Sequence, residues 1–445
     1  MAGAIAAGHP LTAQVGAAVL ASGGNAVDAC VAAAFVAFVV EGPLAGPAGG
    51  GFLLLHEPHG ATRLLDCFFA APAAPLGEME EVVIDFADAG TQAFHVGEGS
   101  VAVPGLVAGL EEAHARDGSR PWAELVEPAL ALARRGFRRD EARAFLHAIL
   151  TPILLRSDAG RAVYGDPDRV RTAELVPTLE AIRDRGRAAV AELLPELDAD
   201  LAAYRVAERT PLAGPVAGHE LLTAPEPSRG GRVVLDILQE LDAAPEPALG
   251  DVARAIGLAY GALAAGRLPG TTHVSVVDEQ GTAAALSMTL GSGSGVFRGG
   301  TQLNNMLGEL DVIGAVPRGA GARLPSMMAP TIALAGGRPR LVLGSAGSVR
   351  LAGAIAQVAW SVLRSQTPVA EAVAAPRVHA DGRTLHVEGG WPEDAVAGLA
   401  DAWDVVRWSD RNLFFGGVSA VEARPDGALD AAGDPRRGGH GVVVA

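Results

Sequence analysis

The chain has 445 residues, of which 49% are hydrophobic, and a formal net charge of −16. This much apolar surface excludes a chain that is disordered throughout, and the acidic balance excludes the electrostatic footprint of a nucleic-acid binder. All 35 basic residues are arginine, which excludes a lysine Schiff base and a P-loop lysine. Two cysteines, Cys30 and Cys67, are too few for a disulfide framework or a four-cysteine zinc site.

Neither the first residues nor the apolar segments of the sequence predict a secretion signal or a membrane span. The first ten residues have no basic segment before an apolar stretch, as a secretion signal requires. The longest apolar run, residues 29–40, suits a buried helix and is too short to span a membrane. We therefore expect a cytoplasmic protein that has neither a membrane nor a nucleic acid as its partner.

The first half of the chain reads mainly as helices. Residues 10–40 predict two apolar helices around a turn at Gly23-Gly24-Asn25, with the second helix fully buried. Gly49-Gly50-Gly51 leads into a predicted strand at residues 52–56, and the absence of a following GKS or GKT excludes a phosphate loop. Helical spacing continues over residues 101–150, and a loop at 225–231 precedes a helix at 233–241.

Strand patterns become frequent after residue 270. Residues 273–278 and 282–290 alternate around a turn at 279–281, which predicts a β-hairpin. Further strands are predicted at residues 330–335, 340–343, 384–387 and 417–422, with a helix at 350–363. Helices dominating before residue 270 and strands after it predict an α+β fold or a layered αββα fold.

A series of short motifs then points to a family. The motifs lie, in chain order, at residues 9–11, 23–29, 49–52, 103–105, 128–129, 271–278, 303–305, 325–330, 344–348 and 434–437. Through them most of the chain resembles the γ-glutamyltranspeptidase family of N-terminal nucleophile (Ntn) hydrolases. The resemblance implies a four-layer αββα sandwich in which residues 1–270 correspond to the large subunit and residues 271–445 to the small subunit. The two segments would together form one structural domain.

The resemblance makes Thr271 the nucleophile, in the segment Thr271-Thr272-His273-Val274-Ser275. It implies self-cleavage between Gly270 and Thr271, after which the two segments remain together as a heterodimer. The freed α-amine of Thr271 would have a pKa of about 7.7–8.0, close to the working pH, and could serve as the base for its own hydroxyl. An acyl-enzyme on Thr271 would then pass to water or to an amine, with no cofactor and no metal.

The same comparison assigns supporting roles around the nucleophile. Thr289 matches the family's threonine that hydrogen-bonds the nucleophile. The backbone N–H groups of Gly347 and Ser348 match the oxyanion hole, although the family normally has glycine where Ser348 stands. A backbone donor is retained there whatever the side chain is.

The substrate-binding positions depart from the family's pattern. The family's clamping arginine is replaced by Phe68, and the asparagine and glutamine by Gly291 and Met306. Glu309 stands for the aspartate that holds the α-amine, and a pair of serines has become Ser326 and Met327. A phenyl ring cannot replace a bidentate guanidinium, so we expect a less polar acyl group than the γ-glutamyl group. Arg63 or Arg298 could supply a relocated cation, although each also fits an ordinary surface arginine.

The first hypothesis is therefore a self-processing hydrolase or acyltransferase that takes a small-molecule acyl substrate, in bacterial specialised metabolism. A C–C bond hydrolase of an antibiotic-type pathway on the same scaffold is an alternative. An unprocessed, non-catalytic relative with a binding role is another, because the segment before Thr271 is short. A homo-oligomer is left open. His56 and His59 could suggest a metal pair, but Pro58 between them favours surface histidines.

Overall fold

The computed structural model describes residues 3–58, 60–85, 91–244, 247–261, 270–314, 318–347 and 350–445. These residues form both α-helices and β-sheets. Among them, no helix combines the length and the apolar character needed to cross a membrane.

The strands, in chain order, are β1 Ala4–Ala7, β2 Gly50–His56, β3 Thr62–Cys67, β4 Glu80–Asp85, β5 Thr91–Val96, β6 Phe137–Arg138, β7 Arg169–Val170, β8 Ala207–Arg209, β9 Leu212–Val216, β10 His219–Thr223, β11 Gly270–Val277, β12 Ala283–Gly291, β13 Phe297–Arg298, β14 Thr301–Gln302, β15 Thr331–Ala335, β16 Arg338–Ala346, β17 Val378–Asp381, β18 Thr384–Val387, β19 Asp404–Arg407, β20 Gly417–Ala423, β21 Leu429–Gly433 and β22 His440–Val443.

The α-helices are α1 Pro10–Ala21, α2 Ala26–Val40, α3 Leu106–Asp117, α4 Trp122–Arg135, α5 Glu141–Leu154, α6 Asp158–Tyr164, α7 Val176–Arg185, α8 Asp198–Ala203, α9 Gly230–Asp242, α10 Leu249–Tyr260, α11 Leu310–Ile313, α12 Leu351–Leu363, α13 Val369–Ala374 and α14 Glu393–Val396.

Two large sheets organise the molecule. The first has seven strands in the order β22-β1-β11-β12-β2-β3-β8, and the second has six in the order β21-β20-β16-β15-β10-β9. The neighbouring strands of both sheets pair antiparallel. The first sheet combines strands from residues 1–270 with strands from residues 271–445, so the two segments complete a common sheet.

Side chains at alternate positions of a strand belong to different layers of the core. Leu53 and Leu55 of β2 pack with α1 and α2 in one buried cluster. Phe52 and Leu54, on the opposite face, join a cluster that includes the second sheet and α9 and α12. This period of two is what a sheet buried on both faces requires. The order is helix, sheet, sheet, helix, so the αββα prediction is confirmed.

The helix pair at the start of the chain forms as predicted. Pro10 begins α1, and Asn25 and Asp28 form a capping box at the start of α2. Each caps the other's backbone N–H at 2.9–3.0 Å, which satisfies donors that a helix start otherwise leaves free. Every residue of α2 is buried, and the helix ends at Glu41.

Among the described residues, α1–α10 precede residue 270 and β11–β22 lie in the shorter segment that starts there, so the predicted predominance of helices before this residue and of strands after it is confirmed. Strands β1–β10 nevertheless precede it, and β1 lies within the first sheet between β22 and β11. The predicted hairpin is confirmed as β11 and β12. Its first strand begins at Gly270, three residues earlier than the alternation indicated. The residues just before it, 262–269, lie outside the described part of the chain.

Candidate active site

Thr271 stands at an irregularity in the hairpin. Gly270 pairs with Gly291, but the next pair along the strands is Thr272 with Met288, so the register shifts across Thr271. A β-bulge of this kind bends the strand and re-aims a side chain, and bulges are frequent beside active sites. Thr271 is 2% exposed. The bulge thus sets a buried hydroxyl immediately after the Gly270 carbonyl.

Thr289 connects the two strands at this point. Its hydroxyl donates a hydrogen bond to the carbonyl oxygen of Gly270 and accepts one from the N–H of Gly291 at 2.8 Å. The resemblance places this hydroxyl on the nucleophile itself. In this structure it donates to the carbonyl that precedes Thr271, the predicted nucleophile. A hydrogen-bond donor on a carbonyl oxygen polarises that carbonyl group.

Gly347 follows the end of β16, close to the start of β20. It has φ of +130°, a backbone conformation that residues with side chains rarely adopt. A Cβ added there would lie 2.8 Å from the Cα of Gly416. Glycine is thus required by both conformation and space. Ser348, the second predicted oxyanion donor, lies outside the described residues.

The neighbouring residues of β11 are held by hydrogen bonds. The Thr272 hydroxyl donates to Glu41 Oε2 at 2.6 Å, and the other oxygen of Glu41 accepts from Thr12 at 2.9 Å. His273 lies within hydrogen-bonding distance of the Ser287 hydroxyl at 2.8 Å. Burial lowers the pKa of His273 to about 3. This ring is therefore neutral at physiological pH and keeps the strand in place.

A polar loop after β12 brings together two of the predicted substrate residues, Gly291 and Glu309. Glu309 Oε1 accepts from both the N–H and the hydroxyl of Ser292 at 2.8 Å. Asn305 Oδ1 accepts from the N–H groups of Ser292 and Gly293. Gly291 has φ of +70°, and a Cβ there would lie 2.2 Å from Asn305 Oδ1. Glycine thus allows the side chain of Asn305 to bind the loop closely.

The aromatic and methionine positions pack into the core. Phe68 is 1% exposed and stacks on Phe52 with ring centres 5.2 Å apart. Met306 and Met327 are 2% and 4% exposed and belong to the same buried hydrophobic cluster as Phe68. Ser326 Oγ accepts from the N–H of Met328 at 3.1 Å. These predicted binding positions remain predictions, and three of the four carry apolar side chains that are buried.

The predicted alternative cations are neutralised by carboxylates. Arg63 forms ion pairs with Glu57 and Asp117. Arg298 does so with Glu98 at 2.9 Å and Glu196 at 2.7 Å. Both guanidiniums therefore serve internal ion pairs and are not available to a substrate carboxylate.

Only one histidine of the candidate metal pair lies within the described residues. His56 is buried, with its ring near the Thr62 hydroxyl and the Gly337 carbonyl; the surface position expected for it is wrong, because β2 carries it into the sheet. His59 lies outside the described residues. Within the described part of the chain, no group of three or more His, Cys, Asp or Glu side chains could hold a metal ion.

Several polar residues of this site carry no strong sequence signal. Glu41 follows an apolar helix, so it reads as a helix end. Arg143 of α5 and Arg437 line a small cavity together with Thr271. Asn305 and Arg437 fell in motifs singled out from the sequence, whereas Glu41 and Arg143 did not. Such residues converge from distant parts of the chain, which a spacing pattern does not reveal.

Known proteins resemble this arrangement in sequence and in structure. The sequence matches the family described as Gamma-glutamyltranspeptidase over residues 12–190 and 253–444. It is 30% identical to the acylase ACY 1 proenzyme of Pseudomonas sp. (strain SE83), across 100% of this chain and 94% of that protein. It is 29% identical to the glutathione hydrolase proenzyme of Escherichia coli (strain K12), across 98% and 90%. The crystal structure of cephalosporin acylase from Bacillus halodurans has a TM-score of 0.86 at 20% identity, covering 99% of this chain and 95% of that chain, and shows the fold.

Proposed function

Because the chain belongs to the gamma-glutamyltranspeptidase family and is an Ntn-type enzyme that acts on amide bonds, we propose that it cleaves itself between Gly270 and Thr271. It then uses Thr271 to hydrolyse an amide whose acyl group is less polar than γ-glutamyl. The observation that carries this proposal is the hydrogen bond from Thr289 to the Gly270 carbonyl. It marks the one peptide bond that must break to free the amine of Thr271.

The self-cleavage step is an acyl shift followed by hydrolysis. The Oγ of Thr271 attacks the carbonyl carbon of Gly270, and the carbonyl oxygen gains negative charge while Thr289 donates to it. The C–N bond breaks, the hydroxyl proton passes to the nitrogen, and an ester joins Gly270 to Thr271 Oγ. Water then hydrolyses the ester, leaving a carboxylate on Gly270 and a free hydroxyl and amine on Thr271.

The same groups then act on a substrate. The neutral α-amine of Thr271 accepts the hydroxyl proton as Oγ attacks the substrate carbonyl. The N–H of Gly347 would donate to the oxyanion, and the protonated amine returns its proton to the leaving nitrogen. Water resolves the acyl-enzyme by the reverse sequence. The two segments remain joined as a heterodimer through their shared first sheet.

The apolar replacements support a less polar substrate. Phe68, Met306 and Met327 offer no hydrogen bond to a carboxylate or an ammonium group, and burying either charge without a partner is costly. A site that cannot pair the carboxylate rejects a substrate that carries one. A relative 30% identical is named an acylase, which agrees with an acyl substrate.

Two measurements test the proposal. Intact-protein mass spectrometry of the purified chain should show two fragments that meet at Gly270 and Thr271, and a Thr271→Ala variant should give one uncut species. On the matured protein, a butyryl anilide should then be hydrolysed with at least tenfold higher kcat/KM than a γ-glutamyl anilide. An uncut wild-type chain would overturn the cleavage, and faster turnover of the γ-glutamyl anilide would overturn the assigned substrate class.

A further inference from the structure

Thr271 lines a small polar cavity whose walls are unusually charged. The cavity has a volume of about 10 Å³, which is room for about one water molecule. Glu41, Arg143, Asp434 and Arg437 also line it. They come from the end of α2, from α5 and from the turn before β22. All four charged residues therefore line the same cavity as Thr271.

The two arginines have no carboxylate partner. Arg143 donates to the carbonyl oxygens of Gly8 and Arg437, and Arg437 donates to that of Leu413 at 3.4 Å. Within the described residues, neither guanidinium has a carboxylate oxygen within 4.0 Å. The Nε atoms of both are buried without a hydrogen-bond partner. A buried guanidinium without a direct ion pair is costly in a protein interior.

The acidic groups of the cavity are already engaged. Asp434 forms ion pairs with Arg377 at 2.7 Å and Arg436 at 3.1 Å. The oxygens of Glu41 accept from two threonine hydroxyls, as described above. His273, the remaining titratable group in the wall, is neutral because burial lowers its pKa to about 3. With Asp434 paired to Arg377 and Arg436, the charges left on the cavity wall are two positive, on Arg143 and Arg437, and one negative, on Glu41.

Resting on the proposed self-cleavage, we propose that Arg437 and Arg143 are positioning residues that keep the freed α-amine of Thr271 neutral, and that Glu41 opposes them. A nearby cation disfavours the ammonium form of an amine, and a nearby anion favours it. Since only the neutral amine can accept the proton of the Thr271 hydroxyl, the two arginines hold the base in its active form. The residues that carry these charges and Thr271 line one cavity.

Removing a positive charge and removing a negative charge should shift the protonation midpoint of the Thr271 amine in opposite directions. Replacing Arg437 by glutamine removes a cation, so the protonation midpoint of the amine should rise by about one pH unit. Replacing Glu41 by glutamine removes an anion, so the midpoint should fall by a similar amount. Arg437→Lys keeps the charge and should keep the wild-type midpoint. A role in packing alone would not move these midpoints in opposite directions.

Trace labelling of the matured protein measures the midpoint directly. The rate at which acetic anhydride acetylates the Thr271 amine is followed from pH 5 to 10 by mass spectrometry. A free peptide with the sequence of residues 271–274 is the reference in the same tube. The wild-type midpoint should lie below that of the peptide. Arg407→Gln controls for the change in net charge, because it removes a half-exposed guanidinium of β19 that pairs with Glu393.

The outcomes separate this inference from the proposed function. Equal midpoints in the wild type, Arg437→Gln and Glu41→Gln, with Thr271 at the amino terminus of its fragment, overturn the inference alone. A chain without that terminus overturns the proposed function, and the intact mass shows this before any labelling. If Arg437→Gln fails to mature, the Glu41→Gln shift still decides, because an unmoved or raised midpoint there contradicts the assigned sign.

Discussion

Removing the Thr289 hydroxyl should slow self-cleavage more than it harms the fold. Thr289→Val keeps the shape of the side chain and deletes the donor to the Gly270 carbonyl. Thr289 is 3% exposed, so water cannot readily take its place. As Thr271 attacks, negative charge grows on the carbonyl oxygen. The hydrogen bond from Thr289, which the variant lacks, stabilises this charge most strongly in the transition state.

The expected loss of cleavage rate can be estimated from the effect of removing one oxyanion donor in other enzymes. Losing one such donor costs about 2.7–4 kcal/mol in the transition state, which is roughly a hundredfold to a thousandfold in rate. The Thr289→Val change also leaves the buried N–H of Gly291 without its acceptor. That loss should lower the free energy of unfolding by about 1–3 kcal/mol. A stability change of this size does not by itself slow a reaction of the folded chain.

The assay follows fragment appearance after a short pulse of cell-free synthesis. Thr289→Ser retains the hydroxyl and should cleave within a few-fold of the wild type. Thr331→Val is the matched control for stability, because it removes a buried hydroxyl that bonds the Ala329 carbonyl in the second sheet. If Thr289→Val cleaves at the rate of Thr331→Val, the hydroxyl does not act on the scissile carbonyl and the reasoning fails.

Three further changes test other parts of the structure. Gly347→Ala forces a side chain against Gly416 at a positive φ and should cost about 1–3 kcal/mol; a urea midpoint equal to that of the wild type would contradict this. Phe68→Arg buries a guanidinium where Phe68 stacks on Phe52, so it should destabilise the protein by several kcal/mol and give no γ-glutamyl anilide turnover; a soluble variant that gains this activity would be the opposite result. Burial alone would raise the pKa of Asp434, but its two arginine partners outweigh burial and hold that pKa below its usual value. Its stabilising contribution is therefore complete above the ordinary aspartate range and is lost as the pH falls through the lowered pKa, and Asp434→Asn should flatten the acid limb of a urea-midpoint curve measured against pH.

Local patterns predicted those parts of the fold that local interactions decide. The capped apolar helices and the β11–β12 hairpin are contiguous in the chain, so their periodicity and turn residues are visible in a short window. Strand β1 is the contrary case. Ala4–Ala7 is short, has little β propensity, and pairs with strands that begin at Gly270 and His440. Only the assembled sheet stabilises it, so no local signal distinguishes it.

The residues of the candidate site also divide into those that could be predicted from the sequence and those that could not. Thr271 was predicted because it lies in a recognisable motif, and Thr289 because the family resemblance matches it on the next strand of the same hairpin. The charges around them were not, since Glu41, Arg143 and Arg437 meet only after α2, α5 and the last turn have packed against β11. Their chemistry is also ambiguous in sequence, because an acidic residue after a helix and an arginine on one are both ordinary.

In the proposed function, the groups that break bonds lie on different parts of the fold from the groups that select a substrate. Gly270, Thr271 and Thr289 lie on paired strands, and Gly347 directly follows a strand of the facing sheet, so sheet register fixes their positions. Met306 and Met327, in contrast, lie on segments between strands, where substitution leaves the register unchanged. Apolar residues can therefore replace the substrate-binding groups of the family without moving the nucleophile or its scissile carbonyl. An altered substrate on an intact cleavage apparatus is thus the change that this architecture most readily permits.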